Sequence, residues 1–230
     1  MSTISDNITA VREKINRVAN GRAVKLLAVS KTFPNEAIAQ ALAAGQRCFG
    51  ENYAQEGAGK VEYFREYYAQ EPIEWHFIGP LQSNKTRLVA EHFDWVQSID
   101  RLKIAQRLND QRPSTLLPLN VLVEINIDNE PTKSGVSLDQ LQDLLPQLRL
   151  LPRIRLRGLM CVPRADSAEV QKRKAFSLMK ETFDQYRAQG YPFDTLSMGM
   201  SADFEWAVEE GANLVRIGSA IFGARDYSRK

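Results

Sequence analysis

This chain of 230 residues has few of the residue types that build metal centres or disulfide frameworks: two cysteines and two histidines. Cys48 and Cys161 lie far apart, and neither stands at a metal-ligand spacing from His76 or His92. They read as two small buried thiols of a reducing compartment. No apolar run is long enough to span a bilayer. The N-terminus lacks a signal-peptide core, because Asp6, Arg12, Glu13, Lys14 and Arg17 interrupt it. The expectation is a cytoplasmic protein. A net charge of +2 excludes bulk attraction to nucleic acid or to an anionic membrane. The basic run Lys172-Arg173-Lys174 reads as a solvated helix face. No glycine-rich dinucleotide turn follows the first apolar run, which disfavours an open doubly wound sheet.

What the chain does have is alternation. Ile4, Ile8, Val11, Ile15 and Val18 form one stripe of an amphipathic N-terminal helix that ends at Asn20-Gly21. Eight strand-like runs follow: Leu26 to Ser30, Arg47 to Gly50, Ile73 to Ile78, Trp95 to Ser98, Asn120 to Ile127, Ile154 to Met160, Thr195 to Met198 and Leu214 to Gly218. Helical patterns separate them, at Glu36 to Ala44, Asn52 to Tyr68, Ser83 to Glu91, Arg101 to Asn109, Leu138 to Leu150, Ala165 to Ala188 and Ala202 to Glu210. Pro146 predicts a kinked or late-starting helix. Phe176, Met179, Phe183 and Tyr186 share one helix face and read as core. Asn109 to Leu119 reads as a surface connection. Crossover helices impose parallel pairing. Eight such units predict an α/β fold, a single (β/α)₈ TIM barrel with an extra N-terminal helix, and residues 1–230 read as one domain.

Active sites of such barrels form at the C-terminal ends of the strands. The unusual residues collect there: Lys31, Glu51-Asn52, Gly79 to Lys85, Ser197 to Ser201 and Arg216 to Ser219. Lys31 closes an apolar strand just before Pro34 opens a helix. An ammonium in a poorly solvated site loses part of its preference for charge, and a neutral amine condenses with aldehydes. Gly218, Ser219 and Ser197 read as donors to a phosphate, or simply as turns. Arg216, inside a strand facing a packed barrel, needs a partner. That partner is either a carboxylate such as Glu51 or Glu124, or a ligand acceptor. His76 is either a hydrogen-bonded core residue or a group facing the ligand. Asn52 either reaches the ligand or caps the following helix. Lys133-Ser134-Gly135 reads as a flexible loop.

The run Trp75-His76-Phe77-Ile78-Gly79-Pro80-Leu81-Gln82-Ser83-Asn84-Lys85 resembles the signature of the pyridoxal phosphate homeostasis proteins. The resemblance extends over essentially the whole chain. It includes Ala28-Val29-Ser30-Lys31, Phe49-Gly50-Glu51-Asn52-Tyr53, Lys133-Ser134-Gly135, Arg157-Gly158-Leu159-Met160, Leu196 to Ser201 and Val215 to Gly223. It implies a barrel like the N-terminal domain of alanine racemase, binding pyridoxal 5'-phosphate. Lys31 is then the aldimine lysine and Arg216 faces the pyridine nitrogen. Ser197, Gly218 and Ser219 hold the phosphate, with Asn52 and His76 near the ring. Many bacterial members carry a second lysine two positions after the first; here that position is Phe33. An arginine at the ring nitrogen weakens the cofactor's electron sink. The chain ends at Lys230, soon after the last strand, without room for the second domain of alanine racemase. The resemblance therefore implies a monomeric carrier without activity of its own, serving vitamin B6 and amino-acid homeostasis, with apo-enzymes as candidate recipients. The rivals are a single-domain amino-acid racemase and a class I aldolase using Lys31 on a phosphorylated sugar.

Overall fold

The computed structural model describes residues 2–130 and 133–224. Eight strands close into a barrel in chain order, with every pairing parallel. They are β1 (Lys25–Val29), β2 (Cys48–Glu51), β3 (Glu74–Phe77), β4 (Trp95–Ile99), β5 (Leu119–Ile125), β6 (Ile154–Cys161), β7 (Thr195–Ser197) and β8 (Leu214–Ile217). Closure sets Leu27 beside Arg216 and Ala28 beside Ile217. The helices are α1 (Ile4–Ala19), α2 (Asn35–Ala43), α3 (Ala54–Tyr67), α4 (Thr86–His92), α5 (Leu102–Gln111), α6 (Leu141–Leu148), α7 (Glu169–Ala188), α8 (Phe204–Glu209) and α9 (Ser219–Phe222). All eight expected strands form, within a few residues of their expected ends. The short α9 was not expected, since four residues carry no readable period.

Local chemistry sets the boundaries. Thr3 and Asp6 cap α1 reciprocally, and Asn20 ends it in the left-handed conformation. Ile8, Val11, Ile15 and Ala19 bury the inner face of α1, which packs on α2, α8 and α9 across the outside of the β8–β1 seam. A 3₁₀ turn, Leu138–Gln140, precedes α6, and Pro146 lies inside that helix rather than in its first turn. Gly158 sits at φ +148°, where the β5–β6 register shifts. A Cβ there would lie 2.0 Å from the Thr195 carbonyl oxygen, so only glycine fits this strand crossing.

The main core lies between strands and helices. Ala28, Phe49, Phe77, Val96, Val121, Leu159, Val215 and Ile217 face outward onto Ile38, Phe64, Ile104, Phe176 and Met179. The lumen is different: its apolar part is a separate cluster of Trp95, Leu122 and Met160, and polar side chains fill much of the rest. At its N-terminal end Arg157 lies 4.7 Å from the Trp95 ring centroid and pairs with Asp194. Lys25 approaches the same ring and pairs with Glu74. Arg153 donates to the carbonyls of Pro113 and Leu116 and pins the 109–119 connection. The Arg153-Arg155-Arg157 alternation is thus partly a plug at the barrel's floor. Among the described residues no helix is long and apolar enough to cross a membrane.

Two expectations are corrected. Lys172 is not a solvated lysine: it is buried and pairs with buried Asp203 at 3.0 Å. Cys48 is only half-buried, whereas Cys161 is fully buried; both are free, and burial pushes both thiols up to about 12.

Candidate cofactor site

Lys31 stands at the C-terminal mouth of the barrel, in a turn that follows β1. The Phe33 N–H donates to the Ser30 carbonyl at 3.1 Å and closes the turn around Lys31 and Thr32. Thr32 has φ +69°. A β-branched residue rarely accepts that conformation, which costs about 1–3 kcal/mol and persists only where neighbours over-determine it. Here they do. The Thr32 N–H donates to Glu56 Oε1 at 2.5 Å. Lys60 Nζ donates to the Ser30 carbonyl at 2.8 Å, to both oxygens of Glu51 and to Glu56. Ser30 Oγ donates to Glu51 Oε1 at 2.5 Å. Glu51 and Lys60 are both buried between β2 and α3. Burial pushes the Glu51 carboxyl up to about 7, against the pull of Lys60 and Ser30.

The neighbouring rim at β7 and β8 is braced in the same way. Ser201 lies in the turn between β7 and α8. There the Met200 N–H donates to Asp203 Oδ1 at 2.8 Å, and Lys172 from α7 holds the other carboxylate oxygen. Ser201 Oγ accepts from the Ala220 N–H at 3.4 Å, so this turn meets the start of α9. Gly218 is buried and Ser219 is exposed. The first N–H groups of a helix have no partner within it, so this corner offers donors to an anion. The Phe33 ring stacks on Phe222 of α9, with centroids 5.0 Å apart, and ties the lysine turn to the same corner.

Asn52 follows β2. It does not cap α3, whose N-cap is Tyr53 without a side-chain bond. Its Oδ1 is buried and lacks a hydrogen-bond partner among the described residues. Gly79 presses on it: a Cβ there would lie 2.3 Å from the Asn52 carbonyl oxygen. An orphaned buried acceptor beside the mouth awaits a donor.

Arg216 is buried within the lumen and forms a direct ion pair with neither expected carboxylate, although its charge attracts Glu124. Nη1 donates to Ser197 Oγ at 2.6 Å and Nη2 to the Cys161 carbonyl at 2.8 Å. Glu51 belongs to Lys60 on the other side of the sheet. Glu124 is half-buried, and burial with repulsion from Asp100 pushes its carboxyl up to about 7. Ser197 differs from expectation. It is fully buried, and its hydroxyl joins Arg216 to Gln97, so it supports the guanidinium rather than standing with the phosphate donors. His76 is also fully buried, bonded to Glu74 and Gln97 below the mouth. Sequence reasoning missed Lys60, Glu56, Lys172 and Gln97. Only Ser201 carried a signal, as a small hydroxyl residue within the Ser197–Ser201 motif.

The structure thus brings Lys31, Asn52, Gly218 and Ser219 to one rim, with Arg216 just beneath and Ser197 and His76 deeper. The set fits a phosphorylated aromatic aldehyde. It offers an amine, a donor-only guanidinium, an unsatisfied acceptor and a corner of N–H and hydroxyl donors.

Comparisons with known proteins agree on the fold. Residues 1–226 match the family model described as alanine racemase, N-terminal domain. The chain is 54% identical to the pyridoxal phosphate homeostasis protein of Escherichia coli K12, over all of both chains. It is 50% identical to the protein of the same name from Pseudomonas aeruginosa, over 99% of this chain and 98% of that one. PipY of Synechococcus elongatus, solved with PLP bound, superposes with a TM-score of 0.85 at 33% identity, covering 96% of this chain and all of the other. Alanine racemase from Corynebacterium glutamicum shares the fold alone, with a TM-score of 0.70 at 18% identity over 99% of this chain and 62% of the enzyme. The chain therefore belongs to the pyridoxal phosphate homeostasis proteins, a family built on the alanine racemase N-terminal fold.

Proposed function

We propose that this chain, as one domain over residues 1–230, binds pyridoxal 5'-phosphate reversibly and serves vitamin B6 and amino-acid homeostasis without catalysing a reaction of its own. The carrying observation is the convergence on one rim of Lys31, unsatisfied Asn52 Oδ1 and the Gly218-Ser219 corner above a buried Arg216. Lys31 is the residue that would hold the aldehyde carbon, with its turn fixed by Lys60 and Glu56. Gly218, Ser219 and Ser201 would take the phosphate. Asn52 would accept from the ring's polar edge, and His76 would lie beneath the ring.

Arg216 would face the pyridine nitrogen. A guanidinium only donates, so it leaves that nitrogen unprotonated. When bound, the cofactor supplies an electron sink, and such a partner weakens it. This supports a carrier, as do the relatives, which bear the name of homeostasis proteins. The free thiols Cys48 and Cys161 suit a reducing, cytoplasmic setting. A monomer is the proposed state; the exposed large hydrophobics among the described residues, Tyr53, Tyr67, Leu117, Leu150, Val170 and Leu178, are spread over α3 with its N-cap, α7 and two loops. The partners are the cofactor and the apo-enzymes that receive it.

The test is titration of the apo-protein with pyridoxal phosphate, then transfer to an apo-enzyme acceptor. Saturable uptake, recovery of acceptor activity and no turnover of amino acids are expected. Steady racemisation or transamination by the pure protein would overturn the non-catalytic reading.

A further inference from the structure

A line of polar side chains runs down the lumen from Arg216, and the proposed function uses its upper end. Arg216 Nη1 lies 2.6 Å from Ser197 Oγ. Ser197 Oγ lies 2.6 Å from Gln97 Oε1. Gln97 Nε2 lies 2.9 Å from His76 Nδ1. His76 Nε2 lies 2.8 Å from Glu74 Oε1. Ser197, Gln97 and His76 are buried at 0% exposure, and only the lower end at Glu74 is partly exposed.

Chemistry fixes its direction. A guanidinium can only donate, so the Ser197 oxygen accepts from Arg216. The single Ser197 proton then goes to the Gln97 carbonyl. That turns the Gln97 amide nitrogen toward His76, whose Nδ1 must accept. The one proton of a neutral His76 therefore sits on Nε2 and is donated to Glu74. Every bond donates in the same sense, from a buried cation near the mouth to a carboxylate at the floor. Lys25 Nζ holds that carboxylate at 2.9 Å, and Trp95 stacks on the His76 ring with centroids 5.1 Å apart. Cys48 Sγ, Glu74 Oε1 and His76 Nε2 lie within 4.8 Å of one another. The Lys25 ammonium already neutralises the shared Glu74 oxygen, so this trio is the anionic end of the line and carries no metal proposal.

We propose that Gln97 and His76 are positioning residues for Arg216, which fix through Ser197 the guanidinium face offered to the cofactor's pyridine nitrogen. This rests on the cofactor reading above. A protonated Nδ1 would oppose N–H to N–H at Gln97. To relieve that clash Gln97 would turn over and take away the acceptor that orients Ser197. The groups facing His76 are Lys25 from β1, Cys48 from β2, Glu74 on β3, and Asp94, Trp95 and Gln97 on or beside β4. Burial lowers the affinity of His76 for a second proton, against the attraction of Glu74.

Nitrogen-15 NMR of the cofactor-free protein tests the line directly, since the chain has two histidines. Wild-type His76 is expected as a neutral ring with the proton on Nε2 from about pH 5 to 8. Gln97→Glu replaces the donor with an acceptor and is expected to place a proton on Nδ1. In the second arm, protein loaded with pyridoxal phosphate is followed by its absorbance against pH. Gln97→Met is expected to raise the dissociation constant roughly tenfold, as for one lost buried hydrogen bond, and to shift the pH profile of the absorbance. A wild-type Nδ1–H tautomer would overturn the proposal. So would a Gln97→Met profile and affinity equal to the wild type's. Failure of the wild type to take up pyridoxal phosphate would overturn the cofactor reading and this role with it, while the NMR arm still decides the direction of the line.

Discussion

Lys60 Nζ reaches the main-chain carbonyl of Ser30 at 2.8 Å, so a buried ammonium on α3 holds the residue immediately before Lys31. The same ammonium bonds Glu51 and Glu56, and Glu56 holds the residue immediately after. The lysine at the mouth is therefore flanked on both sides by backbone that one ion cluster fixes.

Removing one member of that cluster strands the others. Lys60→Met is expected to cost about 3–5 kcal/mol in urea unfolding, because it leaves a carboxylate buried without its cation. The double variant Lys60→Met with Glu51→Leu is expected to recover much of that loss. Hydrogen exchange at the Phe33 amide should accelerate in the single variant. Equal stabilities for the single variant and the wild type would show that the pair contributes nothing to the turn.

Glu124 gives the fold a pH dependence whose sign is fixed. Burial raises its carboxyl from 4.5 to about 7 in the folded state. The folded chain thus holds this proton more tightly than the unfolded chain. The associated stability is fully present below pH 4.5 and is lost as pH rises through about 7. Glu124→Gln removes the titration, so its melting temperature should change less between pH 5 and pH 8 than the wild type's. Parallel curves for the two proteins would contradict the assignment.

The barrel was legible because each strand is a short apolar run bounded by glycine, proline or asparagine, and each crossover shows a 3.6-residue period. The rim residues were legible because strand ends position them one by one. What supports them was not. Lys60 and Lys172 look like solvated helix lysines in sequence, since their partners Glu51 and Asp203 come from other elements. Gln97 reads as an ordinary strand residue, and its place between His76 and Ser197 exists only once the barrel closes. Arg216 was singled out correctly as needing a partner, yet strand alternation could not tell the lumen side, where Ser197 lies, from the helix side, where Glu51 lies.

Phe33 follows Lys31 by two positions and packs on Phe222. A double-mutant cycle with Phe33→Ala and Phe222→Ala is expected to return a coupling of about 0.5–1.5 kcal/mol. Additive losses would mean that the two rings merely share a neighbourhood.

Ser219 marks the phosphate corner. Ser219→Ala should weaken retention of pyridoxal phosphate by about 1.5–3 kcal/mol, the value of one charge-assisted hydrogen bond, with unfolding unchanged since the side chain is exposed. Unchanged affinity would move the phosphate elsewhere on the rim.

Borohydride reduction of the protein loaded with pyridoxal phosphate, followed by peptide mapping, tests covalent binding most directly. The expected result is a single reduced adduct on Lys31 that disappears in Lys31→Ala while the fold persists. An adduct mapped to Lys133 or Lys85, or one that survives in Lys31→Ala, would contradict it.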